Sequence, residues 1–437
     1  MADAKVILWG REIAAVSWDT DNEIGVFQYT PEFLSSKIQI APLTMPLRDG
    51  VFQFSTLNRS TFKGLPGLLA DSLPDKFGNA LIDSWLARQG RSADSFNPVE
   101  RLCYIGSRGI GALEFRPAIG LQPAEDAVLE VEALVALANS VMMERQSLKG
   151  TLQESQSESD LESIRDILRV GTSAGGARAK AILAWNEATG EFRSGQLSAA
   201  SGFTNWIMKF DGIGNNRDKE LADPQGYGRI EYAYHLMAVE AGIEMTRCRI
   251  HEEGGRAHFM TERFDRTSDG KKQHMQSLCA MRHFDFNQAG VYSYEQAIET
   301  CRQLKLPKKD LEQQFLRAVF NVIARNQDDH VKNIAFLMDK AGDWRLSPAF
   351  DVAYSYNPSG AWTSRHQMSL NGKRDEFELE DLLEFGRFAD QKNGRTNTMI
   401  QQVHSAVSGW PKFAAEAGVD ADQANEIQRV LRLSLAR

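Results

Sequence analysis

The sequence predicts an α+β protein in which a mixed α/β half precedes a mostly helical half. Short strand patterns dominate to about residue 265, helical periodicity dominates beyond about residue 285, and no internal repeat suggests a solenoid. At 437 residues the chain is too long for one small domain. The patterning divides it into an N-terminal α/β subdomain at 1–120, a second mixed part with a glycine-rich loop at 121–265, and a helical part at 266–437.

In the first part, 5–9 and 25–29 alternate as strands, and an amphipathic helix follows Pro74. Residues 144–162 are rich in Ser, Gln and Glu and predict an exposed connection or regulatory insert. A glycine-rich loop then leads into a strand at 179–185 and a turn at 186–190. In the strand 204–210, Trp206, Met208 and Phe210 face one way, Ile207 and Lys209 the other. Ile230, Ala233, Tyr234, Met237, Ala238 and Ala241 follow a helical period, and Gly242 stands where that helix should stop. A further strand occupies 258–264. Helices are expected at 294–304, 310–325, 379–385, 394–407 and 422–433, and a hairpin at 334–337 and 344–346.

Composition narrows the classes. Apolar residues at 42% and charged residues at 25% describe an ordinary globular protein. The apolar run at 6–9 is too short for a signal peptide, and no stretch reaches membrane-helix length, so a cytoplasmic protein without a membrane partner is expected. Cys103, Cys248, Cys279 and Cys301 form no CxxC pair, as in a reducing compartment. A net charge of -8 argues against nucleic-acid binding by the chain as a whole, although a local basic patch or a basic partner could still bring it to DNA.

The chemistry concentrates where the helix 310–325 ends, in Asn326-Gln327-Asp328-Asp329-His330-Val331-Lys332-Asn333. Asp328 and Asn333 stand five apart, the spacing at which a phosphoryl-transfer loop places the acid that takes the acceptor proton and the amide that helps hold Mg²⁺. Asp329 is the alternative base. Asp351 follows the predicted hairpin, which returns a second acid toward the same place. His330, with no second His at ligand spacing, reads as an orienting or nucleotide-contacting group. Ser173 to Lys180 is not a Walker motif, yet its small residues allow backbone N–H groups to approach phosphates. Lys209 precedes Glu231 by 22 residues, which leaves open a strand-lysine to helix-glutamate pair. These features suggest a two-lobed kinase-like fold.

With those residues in place the chain resembles the HipA family, serine/threonine kinase toxins of bacterial type II toxin–antitoxin modules. The resemblance runs over nearly the whole length. It rests on Pro42 to Leu47, Leu68 to Asp75, Ser173 to Lys180, Lys209 in Ile207-Met208-Lys209-Phe210, Glu262-Arg263-Phe264-Asp265-Arg266, Asp328 to Asn333, and Phe350-Asp351. It implies ATP and Mg²⁺ as cofactors, Asp328 as base, and Asn333 and Asp351 on the metal. It also implies Gly175, Gly176, Ala177, Arg178, Ala179 and Lys180 with Lys209 on the phosphates, Glu262, Arg263 and Phe264 at the adenine, and His330, Lys332 and Asn333 lining the nucleotide site. Ser173 matches the loop serine these kinases phosphorylate on themselves, where added negative charge would oppose ATP phosphates. A small helix-turn-helix antitoxin, HipB-like, is the implied partner, and an aminoacyl-tRNA synthetase the sort of protein substrate the family suggests. Two departures are Asp329, where the family often has a small residue, and Arg178, where glutamine is common. A catalytically idle fold that co-represses with its antitoxin, or a lipid or small-molecule kinase, are the alternatives.

Overall fold

The computed structural model describes residues 3–119, 129–136, 138–139, 178–195, 202–212 and 225–435. The chain forms two compact units, each assembled from three stretches: Met1–Ala41, Met45–Arg217 and His251–Met275 in one, Pro42–Thr44, Asp218–Ile250 and Gln276–Arg437 in the other.

In the first unit, β1 (Asp3–Leu8) and β2 (Arg11–Asp19) form a hairpin through Trp9 and Gly10, both at positive φ (51° and 82°). Two such residues give the turn whose twist matches that of the flanking strands. With β3 (Ile24–Tyr29), β4 (Val51–Phe52) and β5 (Leu113–Arg116) they build an antiparallel sheet of order β4-β3-β2-β1-β5. Helix α1 (Lys76–Arg88) begins at Asp75, whose Oδ1 accepts from the Gly78 N–H at 2.7 Å. Helix α2 (Pro98–Ile105) begins at an Asn97/Glu100 capping box.

A second five-stranded sheet has the order β7-β6-β8-β10-β9, built from β6 (Lys180–Trp185), β7 (Phe192–Ser194), β8 (Thr204–Lys209), β9 (Cys248–Glu253) and β10 (Arg256–Glu262). The strands expected at 179–185, 204–210 and 258–264 are β6, β8 and β10, each within two residues at either end. Trp206, Met208 and Phe210 lie together in a core with Ala181, Leu183, Phe77 and Leu81, so the α1 stripe closes the face that β8's alternation points inward. Each such large side chain contributes about 1.5–3 kcal/mol on burial.

The second unit is helical, apart from the hairpin of β12 (Ala335–Met338) and β13 (Trp344–Leu346), with β11 (His274–Ser277) bordering β12. Its helices are α3 (Tyr227–Glu240), α4 (Leu278–Arg282), α5 (Tyr294–Gln303), α6 (Lys308–Ala324), α7 (Leu379–Phe388), α8 (Asn393–Ser408), α9 (Trp410–Ala417) and α10 (Ala421–Val430). The α+β expectation holds, and the chain divides into two compact units. The units, however, interleave in sequence: α3, grouped above with 121–265, belongs to the helical unit. Its stripe faces α9, where the Tyr234 and Trp410 rings stand 5.4 Å apart. Helix α9 itself is absent from the sequence reading, because it is short and carries Pro411 in its first turn, a position proline tolerates.

All four cysteines are buried thiols. Among the described residues no helix is long and apolar enough to cross a membrane. The segment 144–162 lies outside the described residues.

Candidate active site

Helix α6 stops where Arg325 adopts a left-handed conformation (φ 56°), and its last turn is closed by the Tyr234 hydroxyl, which donates to the Ala324 carbonyl at 2.6 Å. The loop that follows is pinned by side chains. The N–H groups of Gln327 and Asp328 both donate to Ser355 Oγ, at 2.9 and 3.0 Å, and Asn333 Nδ2 donates to the Asp328 carbonyl at 2.8 Å.

The two adjacent acids have opposite surroundings. The Asp328 side chain is 38% exposed; its Oδ1 accepts from the Trp362 indole N–H at 2.9 Å and lies 3.9 Å from His330 Nε2. Desolvation pushes its pKa above the usual carboxylate value, with Asp351 and Asp329 adding to that push while His330 and the indole oppose it. Asp329 is 1% exposed and fully engaged. Its Oδ2 meets Tyr294 OH at 2.6 Å and His366 Nδ1 at 2.7 Å, and its Oδ1 accepts from Gln367 N–H at 2.7 Å. Burial alone would raise its pKa, but His366, Tyr294 and Gln367 outweigh burial and hold it low. Arg432 NH1 donates to His366 Nε2 at 2.9 Å, so the imidazole is the neutral Nδ1–H tautomer, donating to Asp329.

The hairpin carries Asp351 back beside this loop. Beyond β13, Ala349 bridges Met245, its N–H donating to the Glu244 carbonyl at 2.8 Å, and Asp351 then sits at φ 53°. Tyr294, Asn326, His330, Asn333 and Asp351 line one pocket. Phe286 backs it: its ring centroid is 5.5 Å from that of His330 and 5.3 Å from Lys332 Nζ. His330 Nδ1 is buried without a hydrogen-bond partner.

The donor set suits Mg²⁺. Asn333 uses its Nδ2 on the Asp328 carbonyl, which leaves its amide oxygen as the acceptor, and Asp351 adds a carboxylate. Both are the hard oxygen donors that ion prefers. Among the described residues no three His, Cys, Asp or Glu side chains form a metal cage. That fits an ion taken with one or two protein ligands and completed by phosphate and water.

Of the other expected residues, Ser173, Gly175, Gly176 and Ala177 lie outside the described residues. Arg178 is half-buried, and the Ala179 carbonyl accepts from Phe210 N–H at 3.0 Å. Lys180 is 3% exposed and ion-paired with Asp75 Oδ2 at 3.3 Å. It stands directly across the sheet from Lys209, whose ammonium lies 5.6 Å from the Phe259 ring centroid. Glu231 is buried on α3 and belongs to the other unit. Glu262 ends β10 opposite Trp206. Arg263 gives its backbone N–H to the Asn205 carbonyl at 2.8 Å and binds both oxygens of buried Asp265, at 2.9 and 2.7 Å. Burial would raise the Asp265 pKa, but Arg263 and Arg266 pull it far down. The Arg263 side chain is thus a partner of Asp265, and the Phe264 carbonyl accepts from Gln273 at 3.1 Å.

Sequence reasoning missed Trp362, Ser355, the Asp75–Lys180 pair and the Tyr294/His366/Gln367 cage. None carries a local signal, because each acts across at least 27 residues.

Profiles of two domains match this sequence. The HipA N-terminal domain matches residues 4–116, and the HipA-like C-terminal domain matches residues 172–410. The chain belongs to the HipA family. The HipA toxin of Shewanella oneidensis MR-1, solved with HipB and its operator DNA, is similar in fold at a TM-score of 0.67 and 18% identity, over 99% of this chain and 96% of that one. The Helicobacter pylori proinflammatory kinase CtkA aligns over 51% of this chain and 92% of its own length, at a TM-score of 0.30 and 10% identity. No curated protein sequence matches. Within this HipA-family chain, the second domain match takes in both the 326–333 loop and Asp351.

Proposed function

We propose that this HipA-family protein is an ATP- and Mg²⁺-dependent protein serine/threonine kinase, the toxin of a toxin–antitoxin pair. The observation that carries the reading is the contrast between the adjacent acids: Asp329 lines the pocket with Asn333 and Asp351 but is caged, while the Asp328 side chain is 38% exposed, its backbone carbonyl holds the Asn333 amide, and its carboxylate feels the charge of Asp351. In the proposed reaction Asp328 orients the acceptor hydroxyl and takes its proton, and its raised pKa makes it a better base than an ordinary surface carboxylate. Asn333 and Asp351 hold the metal, with His330 and Lys332 beside the nucleotide. A Mg²⁺ held by Asn333 and Asp351 would supply the positive charge that offsets negative charge developing on transfer. Lys209 and the loop Gly175 to Lys180 steady the phosphates, with Lys180 released from Asp75 or shared with it. Glu262 to Phe264 contact the adenine through backbone groups.

By the same reading the antitoxin is HipB-like, and DNA is reached only in that complex, as in the Shewanella assembly. The substrate is a protein hydroxyl, an aminoacyl-tRNA synthetase being the class the family suggests, and phosphorylation of Ser173 silences the enzyme.

Purified protein with Mg²⁺ and labelled ATP should label itself or a protein in a lysate of its host. Asp328→Ala should lower that rate about 10²–10⁴-fold, the usual contribution of a positioned base, without loss of folded protein. Full labelling by Asp328→Ala, or none by the wild type, would sink the proposal.

A further inference from the structure

The carboxylate of Asp328 is held by the segment that follows Asp351. The Trp362 indole N–H donates to Asp328 Oδ1 at 2.9 Å, and an indole nitrogen is a donor only, so this contact fixes which carboxylate oxygen is engaged. The segment bearing Trp362 is itself fastened to the loop it serves. Gln327 Nε2 donates to the Thr363 carbonyl at 3.2 Å, and Gln367 Nε2 donates both to the Trp362 carbonyl and, at 3.3 Å, to the Gln327 carbonyl. Gln367 N–H ends on Asp329 Oδ1 at 2.7 Å. After Trp362 in the chain, Thr363 and His366 are fully enclosed, and Gln367 nearly so. These bonds tie the segment that carries the indole to the 327–329 loop.

We infer that Trp362 is a positioning residue for the acceptor-activating step, its indole N–H turning the Asp328 carboxylate so that Oδ2 meets the incoming hydroxyl. This rests on the kinase reading above. Trp362 touches Asp328 and acts through it. Removing the donor leaves the carboxylate free to rotate or to swing toward His330, 3.9 Å away, and the productive orientation becomes one of several.

Two measurements test it on the full-length protein. With ¹⁵N-labelled tryptophan, the indole resonance that vanishes in Trp362→Phe identifies Trp362, and in Asp328→Ala that resonance should move upfield as its acceptor is lost. A resonance indifferent to Asp328→Ala overturns the inference. In the phosphorylation assay, Trp362→Phe should lower kcat by about tenfold or more, as expected for loss of a hydrogen bond to a charged group, with KM for ATP within about twofold of wild type. Should Trp362→Phe fold poorly, benzothienylalanine at 362 keeps the bicyclic shape without the N–H and should show the same kcat loss. Wild-type kcat in both variants overturns the positioning role and leaves the kinase reading standing. An inactive wild type whose indole still responds to Asp328→Ala overturns the kinase reading and this role with it.

Discussion

At Asp328 and Asp329, one residue of register separates a partly exposed acid, the base of the proposed reaction, from a caged one. The five-residue spacing to Asn333 pointed to Asp328, but nothing in the sequence disclosed what holds Asp329, since Tyr294, His366 and Gln367 lie 35, 37 and 38 residues away. Asp329→Ala should therefore act on stability first. It strands a hydroxyl, an imidazole N–H and a backbone N–H in the interior, at a cost of about 3–5 kcal/mol, measurable as a lower urea midpoint. Asp351 makes a different test. At φ 53° it occupies a conformation that Asn and Asp tolerate better than other side chains. Asp351→Asn should keep the melting temperature and lose phosphoryl transfer, whereas Asp351→Ala should lose transfer and also about 1–2 kcal/mol of stability. Equal melting temperatures for the two variants would remove the conformational argument. Arg263 marks where sequence reasoning stopped short: its place in Glu262-Arg263-Phe264 was legible, but its side chain's commitment to Asp265 was not.

Among the elements, periodicity served best where one face is buried. The alternation of β8, the stripe of α3 and the apolar face of α6 each appear where they were expected. Which partner a stripe meets is set by tertiary contacts, and the sequence named none for the stripe of α3, which meets α9. Tyr234 shows what this conceals. In sequence it is one apolar position among six, but its hydroxyl caps a carbonyl in the last turn of the helix that presents the Asp328 loop. Tyr234→Phe should leave that carbonyl unsatisfied and cost about 1–2 kcal/mol, seen as a lower denaturant midpoint with an unchanged m-value. A midpoint equal to wild type would show that water replaces the hydroxyl. Helix α9 escaped notice because eight residues opening on Trp410-Pro411 show too little periodicity to register.

Over the whole molecule, buried histidines set the response to acid. Burial holds His235, His258, His274 and His283 neutral, with pKa values lowered to about 4. In the unfolded chain they titrate near 6.5. Between those values the unfolded state binds more protons, so stability is complete above about pH 6.5 and declines as pH falls toward 4. For His274, fully enclosed, the loss approaches about 3 kcal/mol. The melting temperature should begin to fall below about pH 6.5, and His274→Gln should flatten that slope. A melting temperature level from pH 7 to 5 would contradict the burial these residues show. Composition counted the histidines but could not place them.

The interleaving of the two units has a consequence for synthesis. Helix α3 ends at Glu240 and the helix that covers it begins at Trp410, 170 residues later (410 − 240). At roughly 5–20 residues per second, the ribosome leaves α3 without α9 for on the order of ten to thirty seconds. The loop carrying Asp328 emerges inside this interval, and Tyr234 meets Phe320 and Ala324 before it meets Trp410. A nascent chain released before Trp410 would carry every residue assigned to phosphoryl transfer and lack the helix that packs on α3.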